Sequence, residues 1–351
     1  MLTLNRSDKM KPRILSVDPF NINGALIKEA VEIIHNRGLV AFPTETVYGL
    51  GANALDPKAV AGIFEAKKRP FDDPLIVHIA SIEDLFKIAR HIPHAAERLV
   101  NRFWPGALTL ILEKTDLIPD IVTTGLDTVA VRMPANLIAR AFIEQARVPL
   151  AAPSANLFGK PSPTSGKHVM QDLEGRIDII LDGGKTEIGI ESTVVGFSGE
   201  KLMILRPGGI DIETIREIAP EARLETELLH LNSSPGKYPR HYSPEARILI
   251  VDESAEQTDK VLSLAMEISE HGKKAGILAK QEHENLFREY NTKILGPGND
   301  PRTCAARLFS LLRDFDAEKT DVIVTEAIPE KGVGVAVMNR LRKAAGPDLF
   351  T

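Results

Sequence analysis

Leu39-Val40-Ala41-Phe42-Pro43-Thr44-Glu45-Thr46-Val47-Tyr48-Gly49-Leu50-Gly51 is the stretch on which the reading of this chain turns. Its first four residues form an apolar run that Pro43 stops, as a short buried strand would be. Ahead of it, Leu26, Ile27, Ala30, Val31 and Ile34 share one helical face, and Gly38 stands where a C-terminal cap belongs. Behind it come hydroxyls, a carboxylate and two glycines, a pattern that fits a capped turn as well as a ligand loop. Helix, buried strand and polar strand end together make the repeating unit of an α/β sheet.

The alternation continues outward. Asp56-Pro57 supplies an N-cap followed by a first-turn proline, and the helix they open runs through Val60, Ile63 and Phe64 to about Lys67. Pro74–Ile79 reads as a buried strand, and Ser81 with Asp84 restarts a helix. Further strands are expected at Leu108–Leu112, Val129–Arg132, Pro149–Ala152, Ile177–Leu181, Thr193–Phe197 and Leu202–Leu205. Helices are expected between them around Ala95–Phe103, Leu137–Gln145 and Ser165–Leu173, and a last one at Ile212–Ile218. Pro220–Pro244 has no period and reads as an extended linker. A fresh alternation follows: strands at Arg247–Val251, Ala275–Leu278, Thr292–Leu295 and Val322–Val324, helices at Glu256–His271, Thr303–Phe315 and Val335–Ala344. The fold class is therefore α/β. An open, twisted mixed sheet with helices fills residues 1–219, a linker 220–244, and a smaller doubly wound, Rossmann-like domain 245–351. That second domain has no G-x-G-x-x-G after its first strand, which argues against a dinucleotide site there.

Composition narrows the function. The formal net charge is −5, whereas proteins built to hold nucleic acid usually carry a basic excess, so nucleic-acid contact is at most secondary. Cys304 is the only cysteine, which excludes an intrachain disulfide and a cysteine-built zinc site. No apolar stretch approaches the roughly 20 residues of a membrane span, and no apolar signal segment follows the polar start. The expected address is the cytoplasm.

Several sites fail on inspection. Gly184-Lys185-Thr186 resembles the end of a P-loop, but Ile179 stands where its first glycine must be, and a turn at Asp182-Gly183-Gly184 accounts for it. His91 and His94 straddle Pro93, and neither H-E-x-x-H nor G-x-S-x-G occurs. What remains is polar groups gathered at strand and helix ends: Lys67-Lys68-Arg69-Pro70, Arg132, Pro153-Ser154-Ala155-Asn156, Pro161-Ser162-Pro163-Thr164, Glu191-Ser192-Thr193 and Arg206-Pro207-Gly208-Gly209. Basic residues ending a helix also simply complement its dipole. Lys67, Arg69, Arg132 and Arg206 taken with these hydroxyls nonetheless suit a polyanion held without a P-loop.

In this order the segments resemble the YrdC-type threonylcarbamoyl-AMP synthases in their long, two-domain form. The likeness rests on PTETVYGLGANA (Pro43–Ala54), KKRP (Lys67–Pro70), PLIVHIA (Pro74–Ala80), WPGALTLIL (Trp104–Leu112) and GLDTVAVRMP (Gly125–Pro134). It continues through AAPSANLFGKPSPT (Ala151–Thr164), ESTVV (Glu191–Val195), LRPGGI (Leu205–Ile210), the linker's PRHYSP and VGVAVMNRLRKAAG (Val333–Gly346). The resemblance implies condensation of L-threonine, bicarbonate or CO2, and ATP into threonylcarbamoyl-adenylate with release of pyrophosphate, a product that feeds t6A modification of tRNA. It implies Thr44, His78, Thr128, Arg132 and Ser192 around threonine. Lys67, Arg69, Asp73, Ala152, Ser154, Asn156, Ser162, Arg206 and Tyr238 would surround ATP, with Lys67 and Arg69 as the catalytic cations. Mg²⁺ would bridge phosphates, and no protein metal ligand is assigned. Asp73 stands where the family usually has asparagine, and Pro239 where it often has a tyrosine, Tyr238 coming one residue earlier. Partner proteins of tRNA modification would take the product, and the linker would act as a lid over the nucleotide. An Arg69→Ala or Ser154→Ala variant is expected to fold but lose turnover. The runner-up is an RNA-binding module on the same fold. A carbamoyl-transfer or hydrogenase-maturation subunit comes third, and the missing zinc-finger cysteines count against it.

Overall fold

The computed structural model describes residues 11–199, 201–225, 238 and 241–346. Two sheets organise them. The first is 12-stranded and mixed, in the spatial order Arg13–Ser16, Ile179–Asp182, Val40–Phe42, Gly49–Asn53, Leu150–Ala151 and Ile76–His78. It goes on through Thr128–Arg132, Leu108–Lys114, Thr193–Ser198, Lys201–Arg206 and Arg223–Leu224, with Ala89–Arg90 paired beside Leu108–Lys114. Helices cover both faces of its first half. Val40 and Phe42 pack with Ile27, Ile34, Ile138 and Phe142 of helices Gly24–His35 and Leu137–Ala146, while Ala41 faces Val60, Ile63 and Phe64 of helix Pro57–Lys67. That two-sided burial is why Leu39–Phe42 reads as an unbroken apolar run. In the second half one face carries only a cluster of strand residues, Ile76, Ile111, Ala130, Val194 and Leu205.

Local chemistry sets the boundaries. Asp56 accepts a hydrogen bond from the Lys58 amide with Pro57 in the first turn, and the helix ends at Lys68 in the left-handed region. At the end of helix Gly24–His35 the left-handed residue is Arg37 (φ 63°) rather than Gly38, so the cap expected at Gly38 is corrected. Gly38 is required by packing instead, since a Cβ there would lie 2.4 Å from Ile33 Cγ2. Pro43–Gly51 is likewise only partly loop: Gly49–Asn53 returns as a strand antiparallel to Val40–Phe42. Arg223–Leu224, inside the expected linker, pairs with Lys201–Arg206. Most of the remaining linker, 226–237 with 239 and 240, lies outside the described residues, as do 1–10, 200 and 347–351.

The second sheet is all parallel, in the order Arg247–Val251, Val322–Glu326, Ala275–Lys280 and Asn291–Gly296. Helix Gln257–Glu270 covers one face and helices Pro301–Ala317 and Gly334–Ala345 the other, a doubly wound arrangement. The latter face is not closed within its own half. Its apolar cluster includes Val47, Ile190 and Tyr242 alongside Leu308, Phe309 and Met338, so the two halves share a core. Among the described residues no helix is long and apolar enough to cross a membrane.

Candidate active site

A cleft opens where the strand-ending loops of the first sheet meet the start of the second domain. Thr44, Thr46, His78, Arg69, Arg132, Ser154, Ser192 and Arg206 line it, with Ile76 and Ala152 as apolar walls and Glu191, His241 and Tyr242 closing one side. Each polar wall is fixed by its own loop. Thr44 Oγ1 accepts from the Thr46 and Val47 amides at 3.1 and 3.2 Å, a hydroxyl-capped turn that holds Thr46 against Arg132. Arg132 Nη1 donates to Thr46 Oγ1 at 2.8 Å, and Nη2 forms an ion pair with buried Glu45 at 2.7 Å. Across the cleft Arg206 donates to the Ser192 carbonyl at 2.9 Å. Gly208 is obligatory beside it, because a Cβ there would sit 2.4 Å from the Ser192 carbonyl carbon. Gly49 pairs with Ser154 in an isolated bridge and brings that hydroxyl's backbone to the rim.

The titratable groups carry the imprint of burial. His78 is held neutral, pushed down to about 3 by desolvation and then by the Arg132 charge, and its Nδ1 is buried without a hydrogen-bond partner. His241 is likewise pushed down to about 3 by burial, wedged edge-on against Phe158 and Tyr242. Glu191 is held charged instead, pushed down to about 2: burial would raise it, but Arg340 and Arg206 with bonds from Ser162 and Arg340 outweigh that. Lys67 is pushed well down by burial, its Nζ donating to the Ser154 and Asn156 carbonyls at 2.6 Å.

The expected site residues therefore fall into groups. Thr44, His78, Arg132, Ser192, Arg69, Ala152, Ser154 and Arg206 line the cleft. Lys67, Asn156 and Ser162 stand behind it. Lys67 ties the Ser154 loop down, the Asn156 amide donates to the Leu157 and Lys160 carbonyls, and Ser162 donates to Glu191. Asp73 is turned onto Arg69, which it meets at 2.8 Å with both side chains buried, and it does not line the cleft. Tyr238 donates to Asp72 at 2.5 Å and meets Phe158 edge-on. Thr128 also lies outside the lining of the cleft. It opens the strand that Arg132 ends, about 13 Å away at ~3.3 Å per residue, and it lines a separate depression with His91, Glu113 and Phe197. Sequence reading missed Thr46, Glu45, His241, Tyr242 and Arg340 as parts of the site. Glu45 and Thr46 share PTET, and His241 and Tyr242 share PRHYSP, with neighbours of the same chemistry, and nothing local marks Arg340.

The class of site is thus clear: a cationic cleft at the strand ends of an α/β fold with no P-loop. Residues 32–208 match the Sua5/YciO/YrdC family model, described as telomere recombination, and residues 210–346 match the model of the threonylcarbamoyl-AMP synthase C-terminal domain. The chain belongs to this family in its two-domain form. A threonylcarbamoyl-AMP synthase of Pyrococcus abyssi is 47% identical over 91% of this chain and 94% of its own length, and one of Bacillus subtilis is 45% identical over 94% and 95%. The crystal structure of Pyrococcus abyssi Sua5 complexed with L-threonine superposes with a TM-score of 0.89 at 46% identity, covering 95% of this chain and 97% of that one.

Proposed function

We infer that the chain is a threonylcarbamoyl-AMP synthase, joining L-threonine, bicarbonate and ATP into threonylcarbamoyl-adenylate, pyrophosphate and water. The observation that carries this reading is one cleft lined by Arg69, Arg132 and Arg206 together with a buried neutral imidazole, His78. The threonine amine takes up the carboxyl carbon to give a carbamate; a carbamate oxygen then attacks the α-phosphorus, and pyrophosphate leaves with its electron pair. No covalent intermediate with the chain is needed, so the protein's part is orientation and charge stabilisation. In this reading Arg132 takes the threonine carboxylate, with Thr44, His78 and Ser192 around the amino acid. Arg69, Ser154, Arg206 and the Ala152 backbone face the phosphates, and Lys67 holds the Ser154 loop. Mg²⁺ would enter with the nucleotide, as part of the MgATP substrate. A cytoplasmic address, and delivery of the labile product to a tRNA-modifying partner, belong to the same reading.

The test is pyrophosphate release by purified protein with all three substrates, the adenylate being identified by mass spectrometry. Release must vanish when threonine or bicarbonate is withheld. Release with ATP alone, or none with the full set, overturns the assignment.

A further inference from the structure

Behind the cleft, Arg340 comes from the second domain and is fully enclosed, at 0% exposure on helix Gly334–Ala345. Its Nε donates to Glu191 Oε2 at 2.8 Å, and its Nη1 to the Pro207 carbonyl at 2.9 Å. Its guanidinium lies 5.3 Å from the centre of the Tyr242 ring. Glu191 in turn lines the cleft next to Ser192, with its other oxygen taken by Ser162. An ionised carboxylate at this place would repel the phosphates of a nucleotide in the same water-poor space.

We propose that Arg340 is a positioning residue of the cleft: it cancels the Glu191 charge from behind and so lets an anionic substrate enter beside that carboxylate. The second domain then supplies a counter-charge as well as a packing surface. The proposal rests on the synthase reading for the identity of the anion, but its test measures binding rather than turnover. The alternative is a purely mechanical bolt, in which Arg340 only holds the two halves together. The two differ in what neutralising Glu191 does. If charge is the issue, removing the carboxylate's charge restores what removing Arg340 takes away. If mechanics is the issue, it does not, because the bond between the halves stays broken.

The experiment is calorimetric titration of the full chain with a non-hydrolysable ATP analogue. Arg340→Met should weaken binding by at least about 10-fold, and Arg340→Met with Glu191→Gln should recover to within about 3-fold of the parent. Unchanged affinity in Arg340→Met, or a double variant as weak as the single one, overturns the proposal. If Arg340→Met does not fold, Glu191→Gln alone decides. The proposal requires it to bind the analogue at least as tightly as the parent, and weaker binding refutes it. Failure of the synthase reading would show separately, as parent protein that binds the analogue yet releases no pyrophosphate.

Discussion

At the carboxyl ends of the second domain's strands, where open α/β sheets usually take their ligands, the polar groups are spent on one another. Gln257 donates to the Val251 and Ala327 carbonyls at 2.9 and 3.1 Å and so ties two neighbouring strand ends together. Lys280 Nζ donates to Gln257 at 2.7 Å and lies 3.8 Å from Glu326, which also meets His283 at 2.5 Å. The first domain's cleft is built from similar residue types, but its His78 Nδ1 is buried with no partner and its arginines line open space. Both clusters are buried charge at strand ends. One is a keystone and the other a site: the cleft's arginines keep protein partners yet border open space, and the buried His78 Nδ1 is left for a partner from outside.

The largest effect that would break this contrast concerns Arg69. Asp73 beside it is 0% exposed, so Arg69→Ala breaks a buried ion pair and should cost about 3–5 kcal/mol of stability along with turnover. The expectation that this variant simply folds and fails is thereby sharpened. Arg69→Ala with Asp73→Asn should regain stability in urea denaturation while pyrophosphate release stays lost; recovered turnover would take Arg69 out of the site. Next, Lys280→Met should cost about 3 kcal/mol yet leave KM for ATP and for threonine unchanged at a temperature where it is folded. A shift in either KM would mean that the second cluster is coupled to the first.

Much of this architecture is legible in the sequence, for physical reasons. Leu39–Phe42 shows as a strand because both its faces are covered, and helix Pro57–Lys67 shows because Asp56 and Pro57 mark its start. The strand Gly49–Asn53 is hidden because its glycines argue for a turn. They are there because Phe42 lies over them: a Cβ on Gly51 would come 2.9 Å from its Cε1. In the site, the hydroxyls and cations at strand ends stand out. Which of them face space cannot be read, because Asp73 turns onto a neighbour four residues away and Thr128 onto the far end of its strand. Arg340 is invisible for a different reason: it meets Glu191 across 149 residues of chain.

The seam between the halves offers a gentler test. Gly189 has φ +78°, and a Cβ there would lie 2.4 Å from Ala306 Cα on helix Pro301–Ala317. Gly189→Ala must therefore part the two halves locally, at a cost of about 2 kcal/mol. KM for ATP should rise with it if the second domain completes the cleft. An unchanged KM with lowered stability would confine the second domain to packing.

The smallest effect is one of slope. Thr164 N–H donates to His168 Nδ1 at 3.2 Å, so the ring must keep that nitrogen unprotonated, and burial with Arg313 and Lys167 nearby pushes His168 down from 6.5 to about 4. His78 and His241 are held neutral in the same way, each at about 3. A histidine that stays neutral when folded but takes up a proton when unfolded favours the unfolded chain as pH falls. Stability is thus fully present above the unfolded value of 6.5 and is lost on the way down to the folded one. Between about pH 6 and pH 5, above the range where carboxylates titrate, each such ring adds a slope approaching about 1.4 kcal/mol per pH unit. His168→Asn, whose side-chain oxygen can accept the same Thr164 bond without titrating, should flatten the measured slope by about that amount. It should leave KM for threonine and ATP alone, because His168 stands behind the Thr164 loop rather than in the cleft. If the slope stays as steep as in the parent, His168 is protonated in the folded protein, and the contrast between groups served by the protein and groups awaiting a ligand fails at that residue.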